Sequence, residues 1–143
     1  MLRRDFISKI IEQMVNAVAR LLNIDYEKET EKFLDKFDEL LTTYFELNHT
    51  ELKKLLKTDE KRDALLLDEK LKNFQLQTFA RAGLAYLKIK NIQNAKDCLE
   101  IINRIQHQHS DVFEFPNVES VKLSEEIKLL SSRLNDCIEN TTN

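Results

Sequence analysis

Three features of the 143-residue chain predict an all-α fold. It holds one Gly, Gly83, and one Pro, Pro116, so tight β-hairpin turns lack the residues they need. Apolar residues recur at three- and four-residue steps through most of the length, the period of helices with one face on a core. The single alternating stretch, Val112, Phe113, Glu114 and Phe115 before Pro116, has no second strand to pair with. With 42% apolar residues and the length of one ordinary domain, residues 1–143 read as a single helical unit.

The first helix runs from Met1 to Leu22, with Phe6, Ile10, Met14, Ala17, Val18 and Leu21 on its apolar face. Ala17, Val18 and Ala19 imitate a signal-peptide cleavage site, but Ser8, Lys9, Glu12, Gln13 and Asn16 interrupt the apolar run such a segment needs. Asn23 and Asp25 offer a break and a cap. A second helix then carries Tyr26, Phe33, Phe37, Leu40, Leu41, Tyr44 and Phe45 to about Leu47. Its outer face is acidic through Glu27, Glu29, Glu31, Asp35, Asp38 and Glu39, which reads as a solvated surface.

Asn48 with Glu51 three residues on has capping-box spacing and predicts a short helix bearing Leu52, Leu55 and Leu56. Thr58 and Asp59 end it and introduce one long helix, which Leu65, Leu66 and Leu67 dock on its neighbours. That helix continues through Leu71, Phe74, Leu76, Phe79, Ala80, Gly83, Tyr86 and Leu87. After a turn, Ile92, Ala95, Leu99 and Ile102 form one stripe and Cys98, Ile101 and Ile105 a second beside it. A helix apolar over so wide an arc is expected to lie between partners. Phe113 and Phe115 are expected to pin an extended linker on the core. Asn117 or Ser120 caps a last helix bearing Val121, Ile127, Leu130, Leu134 and Ile138. Apolar on one side only, it reads as a terminal capping element.

Phe79, Ala82, Gly83, Tyr86, Asn91, Ile92, Ala95 and Leu99 fall at the relative spacings of the tetratricopeptide motif, which this stretch resembles. The resemblance covers residues 76–109, one repeat of about 34 residues. Lys90 stands where the family's turn has Gly, His107 where its closing Pro falls, and Ile102 where a small residue is usual. The resemblance implies that Gly83 and Ala95 let two antiparallel helices approach closely while Phe79, Tyr86 and Leu99 fill the surrounding space. No second copy follows by spacing. The architecture expected is therefore antiparallel hairpins stacked as a short tetratricopeptide-like, right-handed superhelical domain of about five to six helices, not a repeat array. The opening Met-Leu-Arg-Arg-Asp-Phe-Ile, with Ile10, Ile11, Glu12 and Gln13, also resembles the start of a bacterial family of uncharacterised all-helical proteins. That likeness implies no activity.

Charged residues make up 33% of the chain with both signs interspersed and a formal net charge of -3. This disfavours broad nucleic-acid binding and a DNA-reading helix-turn-helix. No stretch has the length of a membrane span. Cys98 and Cys137 lie far apart without metal or redox spacing and read as free thiols of a cytoplasmic protein. His107, His109, Asp111 and Glu114 are the nearest approach to a metal set. Residues two apart on a helix diverge, however, so no metal or other cofactor is expected. His49 sits alone beside a cap. No nucleophile, base and acid stand in a recognisable pattern, and there is no Gly-rich phosphate loop. The expectation is a non-catalytic protein–protein interaction module with a protein partner. A homodimer joined by the first or last helix is the alternative, and a small-molecule binder comes third.

Overall fold

The computed structural model describes residues 4–110 and 117–141. The segment expected to pin Phe113 and Phe115, together with Asp111 and Glu114, lies outside the described residues. Among those described, every regular element is helical: α1 (Arg4–Leu22), α2 (Thr30–Leu40), a π-helical turn (Leu41–Phe45), a 3-10 helix (His49–Leu56), α3 (Glu60–Leu66), α4 (Lys72–Lys88), α5 (Ile92–Gln108) and α6 (Val118–Thr141).

Local chemistry sets most of the boundaries. The Asp25 carboxylate accepts the N–H of Glu27 (2.9 Å) and Lys28 (3.3 Å), closing a turn, so α2 begins only at Thr30. Asn48 and Glu51 form the reciprocal capping box anticipated from their spacing. The element they start is a 3-10 helix that buries Leu52 and Leu55. Asn117 and Ser120 cap α6 together: the Ser120 N–H donates to Asn117 Oδ1 (2.8 Å) and the Asn117 N–H to Ser120 Oγ (2.9 Å).

The long helix expected from Asp59 to Leu87 is two helices. Asp59 caps α3 by accepting the Arg62 N–H (2.9 Å), as its position suggested. The helix then stops at Leu67. Asp68 folds its carboxylate onto the N–H groups of Lys70 (2.8 Å) and Leu71 (3.2 Å), a local bond that competes with the helical ladder, and α4 starts afresh at Lys72.

Helix α4, rather than α5, is the hub. It packs on α1, α2, α5 and α6, while α5 packs on α4, α6 and the 3-10 helix. The small residues Ala80, Ala82, Gly83 and Ala85 are all buried and let neighbours approach α4 from several directions. Phe37 of α2 lies edge-to-face against both Phe79 (5.6 Å between ring centroids) and Tyr86 (6.1 Å) of α4. The second stripe of α5 is covered, with Cys98, Ile101 and Ile105 fully buried. Helix α6 buries Leu123, Leu130 and Leu134, whereas Val121 and Ile138, assigned to its apolar face by spacing, are exposed. Val121 lies two residues from Leu123, a step that points to the opposite side of a helix.

Two half-buried arginines fasten the helices. Arg104 of α5 makes a bidentate pair with Asp63 of α3 (2.7 and 2.9 Å) and donates to the Leu55 carbonyl (3.0 Å). Burial pushes the Asp63 carboxyl up, but the Arg104 guanidinium and the Asp59 N–H together hold it below the usual range. Arg81 of α4 contacts Glu126 of α6 (3.3 Å) and donates to the Leu22 carbonyl at the end of α1 (3.0 Å).

Candidate interaction groove

The residues singled out by the tetratricopeptide resemblance sit in the α4–α5 hairpin, where Phe79, Ala82, Gly83, Tyr86 and Ala95 are buried and Asn91 and Leu99 half-buried. Three of these positions also meet neighbours outside the hairpin. A β-carbon at Gly83 would lie 2.7 and 2.9 Å from the Leu130 methyls of α6 but 3.4 Å from Cys98 Cβ of α5, so the closest neighbour belongs to α6. Phe79 and Tyr86 also lie edge-to-face on Phe37 of α2, while Tyr86 stands beside Asn94 and Cys98 of α5. Asn91 ends one helix and begins the next. Its N–H donates to the Tyr86 carbonyl (2.8 Å), and its side chain accepts the Asn94 N–H (3.1 Å). Lys90, in the place of the family's Gly, adopts φ 64°.

Most of these residues are buried. Hollows open between α4, α6 and the turn at Tyr26, about 380 Å³, and along α1, where the concave surface was not legible in the sequence. One hollow, of about 310 Å³, runs between α1 and α2, floored by Ala17, Leu21, Ile24, Leu40 and Tyr44. A second, of about 260 Å³, runs between α1, the π-helical turn and α3, walled by Phe6, Ile7, Ile10, Tyr44, Ala64 and Leu65. Both are lined by Thr43 and Tyr44, so the two hollows adjoin at that turn, and together they are the groove along α1. A wider hollow, of about 600 Å³, follows the other flank of α1, where Ile7, Ile11 and Val15 alternate with Ser8, Glu12, Asn16, Asp68 and Lys70.

The turn that carries Thr43 and Tyr44 is the least regular part of the helical chain. Thr42 Oγ1 donates back to the Asp38 carbonyl (3.0 Å) and to that of Leu47 (3.3 Å), Glu46 adopts φ 57°, and Arg62 Nε holds the Phe45 carbonyl (2.9 Å). A hydroxyl that bonds the preceding turn loosens the α ladder. Across the π turn both Leu41 and Phe45 reach the core while Tyr44 stays half-exposed over the groove. Such π turns are rare and concentrate at functional sites.

Charge along the groove is mostly paired. Lys36 meets Glu39 (3.2 Å), and Lys61 meets Glu46 (2.6 Å), whose carboxyl the Lys61 ammonium holds below its ordinary value. Arg20 has no acidic partner among the described residues. Phe6, placed on the buried face of α1 by spacing, is 57% exposed at the end of the groove; the core stripe is Ile11, Met14, Val18 and Leu21.

Other titratable groups are dispersed. His107 is exposed on the last turn of α5, and His109 is buried with Nε2 unpartnered. No group of three or more His, Cys, Asp or Glu among the described residues could hold a metal ion. Cys98 is fully buried, which pushes its thiol up, and Cys137 is half-buried. Asp97 is buried beside Gln93 (3.0 Å), and burial raises its carboxyl above the ordinary range. No helix among the described residues is long and apolar enough to cross a membrane. Comparison with known proteins finds no matching family model, no similar curated protein and no similar solved structure.

Proposed function

We propose that this protein is a non-catalytic protein-interaction module that meets its partner along the α1 groove. The observation that carries this reading is the pair of adjoining, apolar-floored hollows built from α1, α2, the π turn and α3, with Phe6 exposed and Tyr44 half-exposed along them. Aromatic side chains at the rim of a concave apolar surface are typical energetic anchors of protein contacts. The two hollows, about 310 and 260 Å³ and open to solvent, stand at or below the bottom of the range of about 300–1,000 Å³ typical of small-ligand pockets. They suit side chains of a protein partner better than an enclosed ligand.

In this reading the α4–α5 hairpin is a tetratricopeptide-like unit whose task is internal support. What favours the likeness is its turn, where the residue in the family's Gly position takes φ 64°, and the burial of Gly83 and Ala95 at the helix crossing. A cytoplasmic setting suits two cysteines outside any disulfide.

The test is affinity capture from the protein's own cell extract, run in parallel with parent and Tyr44→Asp. Tyr44 is half-exposed but packs against the core, so the variant's melting temperature is measured alongside and must match the parent's. A protein retained by the parent and lost by the variant supports the groove as the docking surface. Equal retention by both would place docking elsewhere and overturn the reading.

A further inference from the structure

We propose that the groove is self-complementary and that its occupant is a second copy of this chain, an inference that rests on the interaction role given above. A two-fold pair uses the same patch twice, so each copy must present both a knob and the hole that receives it. The α1 face does so. The knob is Phe6 at one end, the large aromatic side chain most exposed among the described residues at 57%. The hole is the hollow floored by Ala17, Leu21, Ile24 and Leu40 at the other end of the same groove. Thr43 and Tyr44 join the two.

The residue midway between Phe6 and Arg20 on α1 is Gln13, exposed and lining the groove. An antiparallel pairing of two α1 helices about Gln13 sets each Phe6 opposite the other copy's Arg20, at the mouth of the hole. A glutamine amide is its own hydrogen-bond complement, donor against acceptor, which suits a residue on a two-fold axis. The charges agree with this arrangement. Lys36–Glu39 and Lys61–Glu46 are each closed within one chain, so two grooves meet without a net like charge. Arg20, left without an acidic partner, is positioned to lay its guanidinium on the incoming Phe6 ring. The exposed Val118, Val121 and Leu129 of α6 line none of these hollows.

Sedimentation equilibrium over a wide concentration range tests the pairing. The parent is expected to associate to a dimer. Phe6→Lys sets an ammonium against the other copy's Arg20 and weakens association by at least about tenfold, and combining it with Arg20→Glu restores the dimer by putting opposite charges together. Both positions are exposed, so at dilutions where the parent too is monomeric the melting temperatures are expected to match. A parent that stays monomeric throughout, or a dimer indifferent to Phe6→Lys, would overturn the proposal. A monomeric parent that still captures a protein lost on Tyr44→Asp would sink the pairing alone. Capture indifferent to Tyr44→Asp alongside a Phe6-dependent dimer would sink the heterologous docking alone.

Discussion

Gly83 of α4 and Leu130 of α6 meet so closely that a single added carbon at the glycine would stand 2.7 Å from a Leu130 methyl. Both residues are buried, so Gly83→Leu is expected to destabilise the protein by about 1–3 kcal/mol through overpacking. Gly83→Ala is milder, because the obstructing atoms are the far end of a side chain that can rotate and alanine favours the helix. A double-mutant cycle with Leu130→Ala checks the contact: alanine at 83 is expected to cost less, or to stabilise, once the methyls are gone. Strict additivity would show that the contact is not the limiting one.

Lys90 adopts φ 64° in the turn between α4 and α5, where its N–H reaches the Leu87 carbonyl (3.0 Å) while that of Asn91 reaches Tyr86 (2.8 Å). These bonds make the helix end a Schellman motif, whose left-handed position favours glycine. Lys90→Gly is expected to stabilise the fold by roughly 1 kcal/mol, the cost of left-handed backbone for a residue with a β-carbon. Chemical denaturation gives the value directly, and a loss of stability would contradict the turn geometry.

Arg104→Met removes the bidentate partner of Asp63 and the donor to the Leu55 carbonyl. With the pair half-buried, the loss at neutral pH is expected to be about 2 kcal/mol, between values for exposed and buried pairs. Because the folded Asp63 carboxyl is depressed, its contribution is present above the ordinary carboxylate range and lost as pH falls through the folded value. The gap between parent and variant should therefore narrow in acid. Arg104→Lys is expected to recover only part of the loss, since an ammonium cannot make the fork.

Asp97 shows the opposite sign. Burial raises its folded carboxyl, so the group favours folding when protonated and opposes it as pH rises through the shifted value. Asp97→Asn keeps an acceptor for the Gln93 amide and is expected to raise the melting point at pH 7, with the advantage vanishing below about pH 4 where both side chains are neutral. A constant difference across that range would refute the assignment.

The elements that were legible in advance were those whose signals are local. Asn48 with Glu51, Asp59, and Asn117 with Ser120 each announced a helix start through residue type and spacing. The break at Asp68 carried the same kind of signal, but unbroken apolar periodicity on both sides concealed it. Phe6 and Val121 are apolar residues near a stripe yet outside the contact, and only the position of neighbouring helices decides that. The groove was illegible for a related reason. It needs α1, α2, the π turn and α3 at once, and the π turn continues the apolar period of α2 without a sequence signal of its own. For Gly83 the residue type foretold a close approach, while its nearest neighbour, Leu130, lies in a helix whose place follows from tertiary packing.

Docking along α1 is tested most directly by backbone hydrogen exchange on the protein alone in dilute solution and on its isolated complex. The groove account predicts added protection over residues 6–24, 36–46 and 61–65, the segments that line it, with α5 and the outer face of α6 unchanged. Protection appearing on α5 or α6 while those segments exchange as before would contradict it.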